Sequence, residues 1–460
     1  MDDLDPHALP GGLTVPHHPR LWPGPWPAED GGPRRMQQPR DLPGLDIRDG
    51  ERLETTAVRD ALGTTMVILR EPGEVFVLRH SLGRRPLRDP VVAWVERIDP
   101  LTLAPLRRSP DLAAGPFWPG GMAAHANGSL HVVMGNHCHR LSPDLELLAT
   151  RRLPAPRPYN SFVVLDDGTL VTKDFDRDLR EPARLVLLDP DSLAPRCEPV
   201  PLPEPAIARL SAYGNDLYVV GARTVVRMRW DGERMERDAS WGAPYLLPGQ
   251  GYGWDPVVAG GQLWFLDNGE HDFVTTMRGA GAGPGPVHLV RMSLSDRDDL
   301  ERVEVCGSAR GAVTNPPLYD PARRIAVAYD SANGVVQAFR FGERLTPLWR
   351  RELSHAAHMV LHAATGELVL GDYHGPAIAR TRAGRAVGRR ATAVVRRPAL
   401  RRLATLGSRE DVVVVDVETG AERGRAAVPS LMQSVVFPAP GFGRDLYWCS
   451  MTTLARVAVA

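Results

Sequence analysis

The chain has 460 residues, of which 44 are glycine and 43 proline, and its 55 basic residues equal its 55 acidic ones in number. This balance argues against a sequence-independent grip on nucleic acid, which needs a basic surplus. No run of apolar residues reaches the ~18 that a transmembrane helix needs. The amino terminus, MDDLDPHALPGG, is acidic and lacks the apolar segment of a secretory signal. We therefore expect a cytoplasmic protein with no membrane partner.

Lys173 is the only lysine, and every other basic residue is arginine. The codon usage of a GC-rich genome explains the bias, but the remaining lysine is also a candidate functional group, because burial tunes the pKa of an amine. The cysteines are far apart and form no CxxC pair, which excludes zinc-ribbon and thioredoxin-type sites. We expect buried thiols at Cys138, Cys197, Cys306 and Cys449.

Residues 1–45 form a separate proline-rich zone whose prolines exclude regular helix and central strand. Trp22 and Trp26 are unusual in a purely solvated tail. The sequence leaves two alternatives open for this zone: an extended arm on the body of the protein, or disorder.

From about residue 46 to the end, short alternating apolar runs are separated by Gly, Asp, Asn and Pro, as in antiparallel sheets. The pattern repeats roughly every 35–55 residues and gives eight strand starts. The last unit lacks one strand, which RLETTAVR at 52–59 can supply. We predict an all-β fold, a single β-propeller at 46–460 with an Arg-rich insertion at 379–408. Eight blades are favoured over seven and over two stacked sandwiches, and an N-terminal strand closes the ring.

The repeats contain GSLHVV…HRLSPD, GTLVTK…VLLDPD and DLYVVGARTVVRMRWDG. This pattern of strands and turns resembles that of the quinoprotein-like propeller superfamily over nearly the whole of the predicted propeller. The resemblance implies a fold and little function. Enzymes of that superfamily that use pyrroloquinoline quinone (PQQ) are usually exported, and many carry a vicinal cysteine pair. This chain has neither feature, so PQQ is not expected.

The central channel of a propeller gathers the starts of its inner strands, which makes polar residues there informative. These positions give a mixed ring of amide, carboxylate, guanidinium and imidazole groups. Its members are His125, Asn160, Arg209, Asp255, Asn315, His358 and Gln433, with Tyr159 and Trp254 beside them. Such a ring either lines a wet pore or binds substrate. The substrate-binding candidates are Asn160, Arg209, Trp254, Gln433 and Tyr159.

The segment 252–273 is rich in both polar and aromatic residues. Asp255, Glu270 and His271 could supply a general acid–base pair, with His358 as a further catalytic candidate. The loop NGEHD could cover the mouth of the channel. The alternative is a turn rich in turn-forming residues.

Two metal sites are open as alternatives. Asn160, Asp255 and Asn315 could bind Ca²⁺ through oxygen, which resembles the site of gluconolactonase-type propellers. His125 and His358, with His271 or His374, could bind iron or zinc, and HDFVTT at 271–276 resembles a motif of carotenoid-oxygenase propellers. His125 and Asn315 are the metal-ligand candidates proper, although the other motifs of that oxygenase family are not in order.

Two functions are compatible with this sequence. The first is an enzyme acting on a small-molecule substrate at the channel mouth, with or without a divalent metal; its class as hydrolase, lyase or oxidoreductase stays open. The second is a non-catalytic platform for a protein partner, suggested by the tryptophan-bearing arm and by the Arg-rich insertion. We expect the enzyme, and we do not expect a nucleic-acid partner.

Overall fold

The computed structural model describes residues 17–82, 90–376, 381, 383–387 and 395–460. Within them, 33 strands form eight antiparallel sheets around one axis. The predicted eight-bladed propeller is therefore confirmed, and the seven-bladed alternative is excluded. The first 16 residues of the arm, and residues 379–380, 382 and 388–394 of the predicted insertion, lie outside the described residues.

The first four blades follow one another along the chain, each with its innermost strand first. Blade 1 contains β2 (Thr64–Leu69), β3 (Val75–His80), β4 (Val91–Ile98), β5 (Pro105–Arg108) and β6 (Leu112–Gly115). Blade 2 contains β7 (Gly121–Ala124), β8 (Leu130–Met134), β9 (His137–Leu141) and β10 (Leu147–Arg152). Blade 3 contains β11 (Tyr159–Val164), β12 (Leu170–Asp174), β13 (Arg184–Leu188) and β14 (Val200–Pro201). Blade 4 contains β15 (Ser211–Tyr213), β16 (Asp216–Val220), β17 (Thr224–Trp230) and β18 (Met235–Pro244).

The next three blades repeat the order, and the eighth is assembled from both parts of the chain. Blade 5 contains β19 (Val257–Ala259), β20 (Gln262–Leu266), β21 (His288–Ser293) and β22 (Leu300–Glu304). Blade 6 contains β23 (Leu318–Asp320), β24 (Ile325–Asp330), β25 (Val335–Phe341) and β26 (Leu345–Arg351). Blade 7 contains β27 (Val360–His362), β28 (Glu367–His374), β29 (Arg409–Asp416) and β30 (Glu422–Pro429), with helix α1 (Pro398–Thr405) between β28 and β29. Blade 8 contains β31 (Ala439–Pro440), β32 (Asp445–Cys449), β33 (Thr453–Val459) and β1 (Leu53–Asp60).

The ring closes through β1, the first strand in the chain. It pairs antiparallel with β33, the last strand, from Leu53 opposite Val459 to Asp60 opposite Thr453. Closure of this kind covers sheet edges that would otherwise be free to pair with other chains. The predicted closure by an N-terminal strand is thus confirmed.

A short aspartate motif explains several turns between third and fourth strands. The side chain of Asp99 accepts hydrogen bonds from the backbone amides of Leu101 and Thr102, at 3.0 and 2.7 Å. Asp189 and Asp416 make the same turn in blades 3 and 7. Aspartate favours such turns because its carboxylate satisfies backbone donors two and three residues on. Proline follows the aspartate in blades 1 and 3, and valine follows it in blade 7.

The N-terminal arm lies inside the channel, along the inner strands. The backbone amides of Leu69, Ala212 and Leu361 donate to the carbonyls of arm residues Trp26, Pro33 and Gln37, at 2.8 Å each. The arm contacts the inner strands of blades 1 to 7 through Leu69, Ala124, Ser161, Ala212, Val258, Tyr319 and Leu361. Extended, proline-rich chain suits this role because its free backbone groups can pair with many strands in turn.

The deepest part of the arm carries buried charges. Arg35, 1% exposed, forms ion pairs with Glu29 at 2.7 Å and with Asp30 at 2.9 Å. Asp30 also lies 2.8 Å from His358, which precedes β27. Gly121 of β7 leaves room for this cluster: a Cβ there would lie 2.1 Å from Oε1 of Glu29. Charges can be buried here because each one faces an opposite charge.

We predict that Arg35→Met destabilises the protein by about 3–5 kcal/mol, because it leaves two buried carboxylates without their shared partner. The matched control is Arg48→Met. Arg48 pairs with Asp46 on the surface, where its side chain is 69% exposed, so little change is expected. Urea unfolding measures both free energies. If both variants lowered the free energy of unfolding by the same small amount, the arm would not be an integral part of the fold.

Candidate functional site

At the end where the inner strands start, the predicted polar ring is present, and its amides join neighbouring blades. The Asn160 side chain donates to the Ile207 carbonyl of blade 4. The Asn315 side chain donates to the Ala356 carbonyl of blade 7, and the Gln433 side chain donates to the Ser354 carbonyl at 2.7 Å. Such bonds satisfy buried carbonyls that no strand ladder reaches. These amides therefore have a structural role.

Arg209 crosses the channel from blade 4. Its guanidinium donates to the carbonyls of Pro119 and Gly120 in the segment before blade 2, at 2.7 and 3.2 Å. It also pairs with Glu29 of the arm at 3.2 Å and lies 4.7 Å from the ring centre of Phe437. One arginine thus links the arm to opposite sides of the ring, which its planar array of donors allows.

Lys173 lies completely buried on β12, beside this crossing. Its Nζ donates to the Ala206 carbonyl at 2.6 Å and to Oδ1 of Asn160 at 3.1 Å. Burial lowers the pKa of Lys173 to about 7, against the opposing influence of Asp174 and Asp255. An amine with this pKa can both accept and release a proton near neutral pH.

The aromatic ring of Phe175 lies beside this polar group and is part of a larger apolar cluster. Phe175 contacts Trp118 edge-on with ring centres 4.9 Å apart, and Nζ of Lys173 lies 5.5 Å from the centre of the Phe175 ring. Phe175 belongs to the same apolar cluster as Trp254, against which half-buried Tyr252 packs. We call Trp118, Phe175, Tyr252 and Trp254 the aromatic rim. An apolar surface above a few buried polar groups is the usual composition of a small-molecule site.

A long loop, residues 268–286, extends across the same end of the channel. The backbone amide of Gln433 donates to the Thr275 carbonyl at 2.8 Å, and the Gln433 side chain accepts from the Met277 amide at 2.7 Å. Arg385, in the helical turn 383–387 of the insertion, lies 3.6 Å from Asp272 of the loop. The loop carrying NGEHD thus reaches from blade 5 to blade 8.

The four predicted catalytic residues lie in three separate settings. Asp255 accepts a hydrogen bond from the Arg209 backbone amide at 2.7 Å. His358 pairs with Asp30 of the arm and stacks on Phe437 at 3.8 Å. On the loop, Glu270 is exposed, while His271 stacks on Trp254 at 6.2 Å, and burial lowers its pKa to about 4. Of these four, Asp255 is the one whose charge acts on the pKa of Lys173, which it raises against the effect of burial.

The remaining predicted site residues make structural contacts. The Tyr159 hydroxyl accepts from the Ala155 amide at 3.0 Å, and Trp254 donates to the Gly269 carbonyl at 3.1 Å. His125 accepts from the Asn127 amide at 3.1 Å, where the arm passes. Its partner in the metal hypothesis, Asn315, is bonded to blade 7 as described above.

The predicted ligands of the two metal sites are not arranged around a common point. Across the described ranges, no group of three or more His, Cys, Asp or Glu side chains is arranged to hold a metal ion. Asn160 and Asn315 direct their amide nitrogens to carbonyls rather than converging on a common point. The geometry gives no support to bound Ca²⁺ or iron at these residues.

The sequence did not indicate that the acidic and basic residues of the arm lie in the channel. Glu29, Asp30 and Arg35 stand in a stretch rich in proline and glycine, AEDGGPRR, which reads as a solvated turn. No periodicity connects them to blades hundreds of residues away. Lys173 was detectable, but only from being the one lysine in the chain.

The comparisons with known proteins agree with the fold. No family model matches the chain, and no curated protein matches it. Among solved structures, it is similar to the quinohemoprotein alcohol dehydrogenase ADHIIG from Pseudomonas putida HK5, with a TM-score of 0.59 and 9% identity over 97% of this chain and 82% of that one.

Two further similar structures are more distant. Virginiamycin B lyase from Staphylococcus aureus has a TM-score of 0.41 and 8% identity, over 89% of this chain and 100% of that one. The Pan2 WD40 domain from Neurospora crassa has a TM-score of 0.45 and 8% identity, over 89% and 96%. The chain is thus an all-β propeller with the predicted fold-level resemblance to quinoproteins. A likeness at 9% identity shows the fold and selects no function.

Charged side chains of the arm lie inside the channel. Glu29, Asp30 and Arg35 of the arm occupy the channel together with Arg209. The four cysteines are free, and two of them, Cys138 and Cys449, are buried on different blades.

We predict that the free energy of unfolding rises with pH through Lys173. The unfolded chain keeps this proton up to its ordinary pKa of 10.5, while the folded protein releases it near 7. Unfolding between these values takes up a proton, so stability increases with pH over that window. The difference in unfolding free energy between the natural protein and Lys173→Met should therefore rise from about pH 7 to 10.

Selective ¹³C labelling of lysine at Cε offers a direct reading of the same titration, because the chain has one lysine and gives one signal. The signal should titrate near pH 7. A midpoint close to 10.5, or a stability difference that does not change with pH, would contradict the assigned environment.

Proposed function

We propose that the protein is an enzyme that binds a small organic molecule with a flat ring against the aromatic rim and transfers a proton to or from it through Lys173. The observation that carries the proposal is the setting of this amine. It is completely buried at the end of the channel where the inner strands start, it is bonded to Asn160, and it lies 5.5 Å from the ring centre of Phe175. Perturbed amines beneath an apolar surface are characteristic of catalytic sites.

The roles of the neighbouring groups follow from their contacts. Neutral Lys173 is the proton acceptor, and Asn160 orients its Nζ through the 3.1 Å hydrogen bond. Asp255 stabilises the protonated amine and also fixes the Arg209 backbone. The wider aromatic faces of Trp118 and Trp254 position the ring of the substrate.

Access to the amine requires the cover to move. Loop 268–286 is the segment suited to this motion, because it contains GAGAGPGP and is attached to blade 8 mainly through Gln433. A cover that opens for substrate and then closes excludes water from a proton transfer. The reaction proposed here needs no metal and no quinone.

The test uses the single lysine. Native protein is treated with benzaldehyde and cyanoborohydride, which alkylate only neutral amines, and the products are mapped by mass spectrometry. We expect alkylation of Lys173 in the folded protein, with a rate that rises around pH 7. Trp118→Ala should slow it, because the reagent loses its aromatic contact. Trp94→Ala, which removes a tryptophan of blade 1 outside the channel, should not.

If the protein is instead a non-catalytic platform for a protein partner, the opposite result is expected. If Lys173 only ties blade 3 to blade 4, it stays unmodified until urea unfolds the protein, whereas the α-amino group reacts throughout. That outcome would refute the proposed function. An equal effect of the two tryptophan variants would refute the rim as the binding surface.

A further inference from the structure

Helix α1 packs against the protein through a polar side and exposes an apolar side to solvent. Nε and Nη2 of Arg401 each lie 2.7 Å from the carboxylate of Asp60, the last residue of β1. Leu403 and Leu406 face outward, 65% and 84% exposed, and Leu400 is 39% exposed. A surface helix normally buries its apolar face and exposes its charges. The reversal indicates that a further surface covers these leucines.

A cavity of about 410 Å³ lies beside the helix, between blades 7 and 8. Its lining combines apolar side chains with arginines, notably Val58, Leu406, Ala427, Arg59, Arg402 and Arg409. Val58 is 48% exposed, which extends the apolar surface beyond the helix. The combination fits a ligand that is apolar at one end and anionic at the other.

The positive charge of the insertion favours a negatively charged partner. Residues 377–408 contain nine arginines and no aspartate, glutamate or lysine. Asp60 and Asp272 neutralise part of this charge, through Arg401 with Arg402 and through Arg385 respectively. The surplus that remains attracts anions. The stretch also contains no aromatic residue on which a nucleic-acid base could stack.

We infer that α1, Leu406 and the adjoining cavity form a docking surface for a bilayer that contains anionic phospholipid. The leucines enter the boundary between head groups and acyl chains, and Arg397 and Arg402 lie at the level of the phosphates. The sequence alone predicts no membrane partner. The inference of a membrane contact rests on the outward orientation of the leucines, which the structure adds. Among the described residues no helix is long and apolar enough to span a bilayer, so the contact proposed is peripheral.

The experiment is co-sedimentation of the full chain with lipid vesicles. One set contains phosphatidylcholine alone, and the other contains equal parts of phosphatidylcholine and phosphatidylglycerol. We expect binding to the second set only, weakened by added salt. The double variant Leu403→Ser/Leu406→Ser should bind at least about tenfold more weakly, because it removes the apolar contact.

The matched control is Leu147→Ser/Leu148→Ser. These leucines are 43% and 50% exposed on β10, the outer strand of blade 2, and their loss should leave vesicle binding unchanged. Thermal unfolding of both variants checks that the fold is intact. Absence of binding to anionic vesicles, or equal loss in both variants, overturns the inference. So does binding of fluorescent duplex DNA in place of vesicles, which would make the insertion a nucleic-acid surface.

Discussion

The carboxylate of Glu29 is shared between two arginines in the channel, and the rest of the structure depends on this arrangement. Arg35 holds it at 2.7 Å from within the arm, and Arg209 holds it at 3.2 Å from blade 4. A buried carboxylate costs several kcal/mol in desolvation unless such partners compensate it. The shared contact ties the N-terminal arm to a ring that its own strands would otherwise leave open at the centre.

This arrangement separates the two ends of the channel. The arm lies along the inner strands, and the proposed site lies at the end of the channel where these strands start. At that end the polar ring is largely engaged in bonds between blades, and the proposed site consists of Lys173 with Asp255 and the aromatic rim. The proposed site is therefore narrower than the whole ring, because structural bonding accounts for Asn315 and Gln433.

The sequence predicted the propeller well, because its information is local and repeated. Alternating strands, aspartate turns such as that of Asp99, and the missing strand supplied by residues 52–59 each follow from short segments. The site was less predictable. Strand starts identify which residues approach the axis, but hydrogen-bond partners such as Ile207 for Asn160 depend on the relative positions of two blades. The burial of Glu29 and the outward orientation of Leu403 depend on tertiary packing, which has no signature in a single sequence.

The most direct test of the central claim is hydrogen–deuterium exchange of the full chain, followed by mass spectrometry of peptides that cover residues 26–40. The amides of Arg35 and Gln37 donate to the carbonyls of Gly32 and Asp30 within the arm. Strand amides in turn hold arm carbonyls such as that of Pro33, so the arm amides exchange only when the arm leaves the ring. The account predicts that these peptides exchange as slowly as peptides from β11 and β12, both fully buried strands. Exchange of the arm as fast as an unstructured peptide, while β11 and β12 stay protected, would contradict it.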